Sequence, residues 1–394
     1  MVEGLALLFG KSSLFEDQEM GLWISFFCWK KSDICPQNVA FAFSLYMITI
    51  CLNHRSLHLK LLSVVIPAYN VEKYINQCLH SFVVEEVLPF IEVLIINDGS
   101  NDATYDMAAA YERQYPDTFK VITKQNGGHG SAINMGIKEA TGKYFKVVDG
   151  DDWVDPQALS ALIETLKTSN SDVVFHNFYW IDESTGNRKA EMKEPFTDVQ
   201  YYKEYLFSNV CQKLYMKMHS MTIATQILQN QQIFLDEKCF YVDTEYILYP
   251  IPHINTITFV PDFVYQYRVG QIGQSVNIWN MQLRMADHLK VLDSVIRFYL
   301  AYKQSQNPES PKEQYILRLI NRVIASQYKI FLSFKGSARI KERLIAFDDY
   351  IKDSDIDLYN GMRNPVIRLL RKSRFCLYPM VSLAVRMKYG KEPK

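Results

Sequence analysis

The sequence offers no stretch of about 20 consecutive apolar residues, the length a membrane-spanning helix requires. The apolar run Val39 to Leu52 stops at 14 residues. It also begins too far from the N-terminus, behind acidic and aromatic clusters, to read as a secretory signal. Cysteine is sparse: seven residues, at 28, 35, 51, 78, 211, 239 and 376, with no C-x-x-C spacing. That pattern argues against a structural zinc site and a disulfide framework, and a reducing cytosol is the simplest setting. Neither sign of charge is in surplus, with 43 Lys and Arg against 43 Asp and Glu. No overall field therefore recruits nucleic acid. What the 394 residues do have is 48% hydrophobic content, enough for a large domain and a smaller one.

From residue 62 a unit repeats. The β-branched run at 62–66 ends at Pro67, and Ala68, Tyr69 and Asn70 lead into a helical pattern through Ile75, Cys78, Leu79 and Phe82. The run at 91–96 ends in the polar turn Asn97-Asp98-Gly99-Ser100, followed by a helix expected from about Ala103 to Tyr115. A third strand, Phe119 to Thr123, passes through the Gly127, Gly128 and Gly130 loop into another helix, and Lys143 to Val148 makes a fourth. Alternating strands and helices imply a mostly parallel α/β sheet covered on both faces, with ligands gathering beyond the carboxyl ends of its strands. Gly127, Gly128 and Gly130 suit close backbone approach to a diphosphate at a helix N-terminus, although an ordinary connecting turn has the same composition.

The fourth strand ends in Asp149, Asp151 and Asp152. Three carboxylates within four residues repel one another unless a cation neutralises them, and all-oxygen ligands favour Mg²⁺ or Mn²⁺. A solvated Asp-Gly turn is the alternative for the triplet taken alone.

Five ordered motifs then carry a resemblance. VVIPAYN (64–70), INDGSND (96–102), KQNGGHGSAINMGIKEATGKY (124–144), VVDGDDWVDP (147–156) and YVDTEY (241–246) resemble the family 2 glycosyltransferases with the GT-A fold, over roughly residues 60–275. The resemblance implies a nucleotide-sugar donor, most simply a UDP-sugar, a divalent cation and inversion at the anomeric carbon. It implies a nucleoside pocket lined by Pro67, Tyr69 and Asn70, with Asp98 accepting a hydrogen bond from the pyrimidine. Asp149 and Asp151 resemble the D-x-D pair that handles ribose and metal, with Asp152 orienting them. Gly128, Ser131 and Asn134 would contact the donor, Lys124 a phosphate oxygen, and Asp243 would be the catalytic base.

The pattern has departures. Asn97 stands at a usually acidic position, Val242 replaces the glutamate that commonly precedes the base, and Ile133 stands where an arginine is usual. His129, His219 and Arg268 are the residues that could compensate. The Q-x-x-R-W signature of processive synthases is absent, which points to one sugar added per encounter. Two other readings stay open: a nucleotidyltransferase, and a catalytically silent nucleotide-sugar-binding scaffold, for which Asn97 and Val242 speak.

The expected organisation is an extension of unassigned role at 1–60, a catalytic domain at 61–275 opening near Leu61, a helical region at 276–360 and a basic amphipathic tail at 361–394. Met285, Leu289, Leu292, Val295, Ile296 and Tyr299 recur at helical spacing, as do Ile316, Leu319, Ile320, Val323 and Ile324. From Arg363 to Lys394, nine Lys or Arg stand against one Glu, interleaved with Leu369, Leu370, Phe375, Leu377, Tyr378, Met380, Val381 and Leu383. Such a tail suits the headgroup region of an anionic leaflet. The setting expected from these features and the resemblance is cell-surface polysaccharide assembly on a glycan or lipid-linked acceptor. The enzyme would be cytoplasmic and peripheral on the inner membrane face.

Overall fold

The computed structural model describes residues 60–192, 199–270, 277–305, 310–335 and 337–389. The N-terminal extension with its Val39 to Leu52 run and the last five residues of the tail lie outside them.

Strands β1 (Leu62–Ala68), β2 (Ile91–Asn97), β3 (Phe119–Thr123) and β4 (Tyr144–Val147) lie in the order β3-β2-β1-β4, all parallel. All seven residues of β1 are buried, as a central strand covered on both faces demands. Alternate residues face opposite ways. Val64, Ile66, Val93 and Ile95 join the core beneath helices α1 (Ile75–His80) and α2 (Thr104–Gln114). Val65, Leu94 and Ile96 join the core beneath α3 (Gly128–Glu139), through Ala132, Ile133 and Ile137. The chain leaves β1 in one direction and returns on its other side as β4, so a crevice opens beyond the carboxyl ends of β1 and β4.

The second half of the sheet is mixed. After β5 (Trp153–Val154), helix α4 (Pro156–Thr168) starts on Asp155, whose side chain accepts from the Ala158 N–H, with proline in its first turn. Strands β6 (Val173–Asp182), β7 (Arg188–Ala190), β8 (Glu204–Leu206) and β9 (Met221–Ala224), helix α5 (Asp243–Leu248) and strand β10 (Thr256–Val269) follow. The sheet continues from β4 through antiparallel β9 to β6, β10 and β5, with β7 and β8 on its flanks. β6 and β10 run parallel to β4, so their carboxyl ends reach the same edge as the acidic turn. This is the GT-A arrangement expected from the motifs, with the antiparallel insertions as the part that the β–α periodicity does not announce.

Helices α6 (Met285–Ser305) and α7 (Pro311–Ser333) form as their periodicity requires. Leu292, Val295, Ile296, Tyr299, Ile316, Ile320 and Ile324 are buried in the same apolar core as Ile96 and Val147. The helical region therefore packs on the catalytic domain, and the described residues from 60 onward belong to one compact unit. The expected amphipathic tail lays one face on this core. Beyond α8 (Ala338–Ser354), it folds into α9 (Pro365–Lys372) and α10 (Tyr378–Tyr389). Leu370, Phe375, Tyr378 and Val381 turn inward, and Arg371 is held by Asp348 at 2.7 Å and the Tyr359 carbonyl at 2.6 Å. Among the described residues no helix is long and apolar enough to cross a membrane.

Candidate functional site

The turns after β1 and β2 are tied into one rim. Asn70 adopts φ 53°, its side-chain carbonyl accepts the Asn101 N–H at 2.9 Å, and its own N–H donates to the Ser100 hydroxyl at 3.1 Å. Tyr69 stands exposed on this rim, and the Pro67 carbonyl accepts the Gly150 N–H at 3.3 Å, linking the rim to the acidic turn.

Asp98 lies buried behind the rim. Its Oδ1 accepts from Lys124 Nζ at 2.6 Å and from the Gly127 N–H at 2.9 Å, and its Oδ2 accepts from the Gly128 N–H at 2.7 Å. Lys124 donates also to the Gln125 carbonyl, so the ammonium that the resemblance would send to a phosphate is engaged within the protein. Asn134 is likewise occupied: its amide donates to the Leu235 carbonyl and accepts from the Leu235 N–H, both at 2.9 Å. Ser131 is buried against Gly127.

These bonds change the meaning of the glycines. A Cβ on Gly130 would lie 2.2 Å from the Asp236 carbonyl oxygen, and Gly128, at φ +83°, meets the backbone of Lys238. The Lys238 N–H donates to the Gly127 carbonyl at 2.6 Å. The glycines admit a crossing protein segment, 235–239, and that segment leads directly into Asp243.

The acidic turn is braced from β10. Tyr265 donates its hydroxyl to Asp152 Oδ2 at 2.5 Å and accepts the Asp149 N–H at 3.2 Å. Asp152, fully buried, also accepts the Arg268 N–H at 2.7 Å. Arg268 donates from Nε to the Asp151 carbonyl at 2.8 Å and from Nη2 to Gln77 at 2.6 Å, its guanidinium over the rings of Tyr74 and Trp153. Arg268 thus shapes the turn, and Trp153 is covered by it. His129 Nε2 sits 2.7 Å from Asp149 Oδ1.

The electrostatics follow this crowding. Burial and the Asp149 charge push the Asp151 carboxyl up to about 6, and burial with Asp151 and Asp149 raises Asp152. Asp149 moves the other way: burial opposes its charge, but His129 outweighs that and holds the carboxyl below its usual range. Burial favours a neutral His129 ring, yet Asp149 lifts it above the ordinary histidine value. Burial pushes His219 down to about 4, so its ring is neutral near pH 7 and keeps a lone pair.

Asp149, Asp152 and His219 place one ligand atom each within 4.8 Å of one another. Nδ1 of His219 is buried without a partner among the described residues. Carboxylates with one neutral imidazole suit a divalent cation of the Mn²⁺ or Mg²⁺ kind, so the residues fit such an ion. The converging set differs from the Asp149 and Asp151 pair that the D-x-D pattern suggests. Asp152 and His219 enter because Tyr265 draws the Asp152 side chain inward and a tight turn at 218–220 delivers the histidine ring.

Asp243 opens α5, with burial raising its carboxyl and His129 and Asp149 acting on it across the crevice. Two residues on, Glu245 accepts the Asp236 N–H at 2.7 Å and so anchors the crossing segment. Burial lifts the Glu245 carboxyl from 4.5 to about 7. The folded chain then binds a proton that the unfolded chain releases between about pH 4.5 and 7. The associated stabilisation is complete below 4.5 and disappears as pH rises through 7, by at most ~3 kcal/mol. Glu245→Gln should flatten this slope, and thermal melts of variant and parent at pH 5 and pH 8 would check it; equal slopes would contradict the assignment.

Several residues here have no motif to announce them. Tyr265 sits in an apolar strand run. Lys146 is fully buried on β4, its ammonium 3.0 Å from His176 Nε2 and 2.9 Å from the His219 carbonyl, and burial lowers it well below the usual lysine value. A lone lysine inside KYFKVV is the signal that would have flagged it.

Residues 63–229 match the family model described as glycosyl transferase family 2. That stretch, less than half of the chain, is what the chain shares with the family 2 glycosyltransferases. Among proteins similar to this chain is glycosyltransferase GlyG of Streptococcus pneumoniae, 36% identical over 129 residues, which are 32% of this chain and 42% of that protein. Another is the minor teichoic acid biosynthesis protein GgaB of Bacillus subtilis, 28% identical over 221 residues, 54% of this chain and 23% of that one. The matched stretch spans less than half of either relative. The crystal structure of S. aureus TarS 1–349 in complex with UDP-GlcNAc superposes with TM-score 0.61 at 18% identity, covering 83% of this chain and 92% of that chain. At such identity the likeness is one of fold.

Proposed function

We propose that this domain transfers a sugar from a nucleotide-diphosphate donor, most simply a UDP-sugar, to a hydroxyl of a glycan or lipid-linked acceptor, with inversion. The observation that carries the reading is the convergence of Asp149, Asp152, His219 and Asp243 on one crevice at the strand switch point. Relatives named for teichoic acid biosynthesis and a neighbouring fold solved with UDP-GlcNAc support it.

In a single displacement the acceptor oxygen bonds to the anomeric carbon as the bond to the diphosphate breaks. Asp243, lifted by burial, takes the acceptor proton as general base. A cation held by Asp149, Asp152 and His219, with Asp151 beside them, would neutralise charge on the departing diphosphate. His129 adds positive charge on the first turn of α3, near the Ile133 position where the family usually carries arginine. The Tyr69–Asn70 rim would hold the nucleoside, and Asp98 Oδ2 keeps one lone pair for a pyrimidine N–H.

The proposed setting is cell-surface polysaccharide assembly at the cytoplasmic membrane face. Helices α9 and α10 expose Val366, Leu369, Met380, Leu383 and Met387 beside Arg368, Lys372, Arg374 and Lys388, and positions 358–389 hold no acid.

The test is a donor panel: the full chain with Mn²⁺ and UDP-glucose, UDP-galactose, UDP-GlcNAc or UDP-GalNAc, following UDP release. One donor should be hydrolysed slowly, and EDTA should stop it. Calorimetry that finds no UDP retained with Mn²⁺ or Mg²⁺, together with no hydrolysis, would overturn the proposal.

A further inference from the structure

One cavity on the active edge is lined by none of the residues proposed to hold the donor. It is about 400 Å³, within the ~300–1,000 Å³ range of ligand sites, and is lined by Trp180, Lys189 and Glu191. It lies where the carboxyl end of β6 pairs with β7, Trp180 opposite Lys189. A larger cavity of about 680 Å³, around Ser171, Glu204 and Thr258, sits at the amino ends of β6 and β10, on the wrong edge of the sheet for the chemistry.

The lining of the smaller cavity is built rather than incidental. Trp180 Nε1 donates to Glu191 Oε2 at 2.5 Å, and Glu191 Oε1 pairs with Lys217 at 2.7 Å. The Lys217 ammonium lies 4.7 Å from the centre of the Trp180 ring. These contacts hold a half-buried indole beside a carboxylate and two ammonium groups. Rings then lead inward: Trp180 meets Tyr267 edge-on at 4.7 Å, and Tyr267 meets His219 at 4.5 Å. His219 belongs to the acidic cluster. The 218–220 turn that carries His219 packs on α5, which opens at Asp243.

A fixed indole packs well against the C–H face of a pyranose ring. A carboxylate accepts from sugar hydroxyls and an ammonium donates to them. A phosphate would be repelled by Glu191, and an apolar ligand would cover the Lys189 ammonium without giving it a partner. We infer that the cavity at Trp180, Lys189 and Glu191 is the subsite that holds a sugar ring of the acceptor, with Tyr267 and His219 lining the path to Asp243. The inference rests on the glycosyltransferase reading above.

The probe is a set of p-nitrophenyl pyranosides (gluco, galacto, N-acetylgluco and N-acetylgalacto), titrated by saturation-transfer NMR into the full chain held with UDP and Mn²⁺. At least one should bind the parent. Trp180→Ala should weaken it about tenfold or more, which corresponds to ~1.4 kcal/mol. Trp180→Phe, which retains a ring, should recover part of the loss, and Glu191→Gln should weaken binding without altering the fold. UDP affinity and donor hydrolysis should be unchanged in all three. If the parent binds UDP but no pyranoside, or if Trp180→Ala and Glu191→Gln bind the pyranoside as the parent does, the subsite is wrong while the transferase reading stands. If the parent neither binds UDP nor hydrolyses a UDP-sugar, the transferase reading itself fails.

Discussion

Asp243→Asn lowers the rate of sugar transfer by ~10²–10⁴-fold, the range that a positioned general base contributes, and leaves UDP affinity within about twofold of the parent. The two halves of this expectation have separate causes. Asparagine keeps the shape and the start of α5 but cannot take a proton from the attacking hydroxyl. The groups proposed to hold the nucleotide, Asp98, Tyr69 and Asn70, lie across the crevice on the turns after β1 and β2. Single-turnover kinetics with calorimetry on the same preparation would check both halves. Equal transfer by variant and parent would remove Asp243 from the base role. A matched loss of UDP binding would show instead that the segment 235–239 had been displaced, because that segment packs on the glycine loop through Gly128 and Gly130.

Asp149→Asn abolishes the cation dependence of donor binding, weakening UDP-sugar affinity in the presence of Mn²⁺ by ~10²-fold or more. One of the two carboxylates that converge with His219 is removed, and charge stabilisation at a diphosphate is worth several kcal/mol. Stability should change little, by less than ~1 kcal/mol. The lost His129 contact is a partly exposed ion pair of small worth, and removing Asp149 relieves the repulsion that raises Asp151 and Asp152. Calorimetric titration with and without EDTA, next to a thermal melt, separates these quantities. A variant that binds UDP-sugar as the parent does, with the same EDTA sensitivity, would show that the ion is held elsewhere.

Much of the parallel half of the sheet was legible because burial on both faces leaves continuous apolar runs, and polar turns punctuate them. The acidic turn was legible for another reason, since three carboxylates within four residues repel one another unless something neutralises them. Other features depend on partners far apart in the chain. Lys124 reads as a phosphate ligand until Asp98, 26 positions earlier, is found 2.6 Å from it. Asn134 reads as a donor contact until Leu235, 101 positions away, occupies its amide. The tail at 361–394 reads as an amphipathic segment, and Ile367, Leu370, Phe375, Tyr378 and Val381 have a core to enter once α7 is in place.

The amino-acid sequence by itself determined the strand–turn–helix order and the acidic triplet, because these rest on local periodicity and charge that neighbouring residues express alone, whereas Asp243 is singled out only by the resemblance of YVDTEY. Only the tertiary structure decided which carboxylates converge with His219, what the glycine loop receives and where Trp180 meets Tyr267. Each of those is a distance between elements remote in the chain, set by the register of a shared sheet rather than by any run of residues.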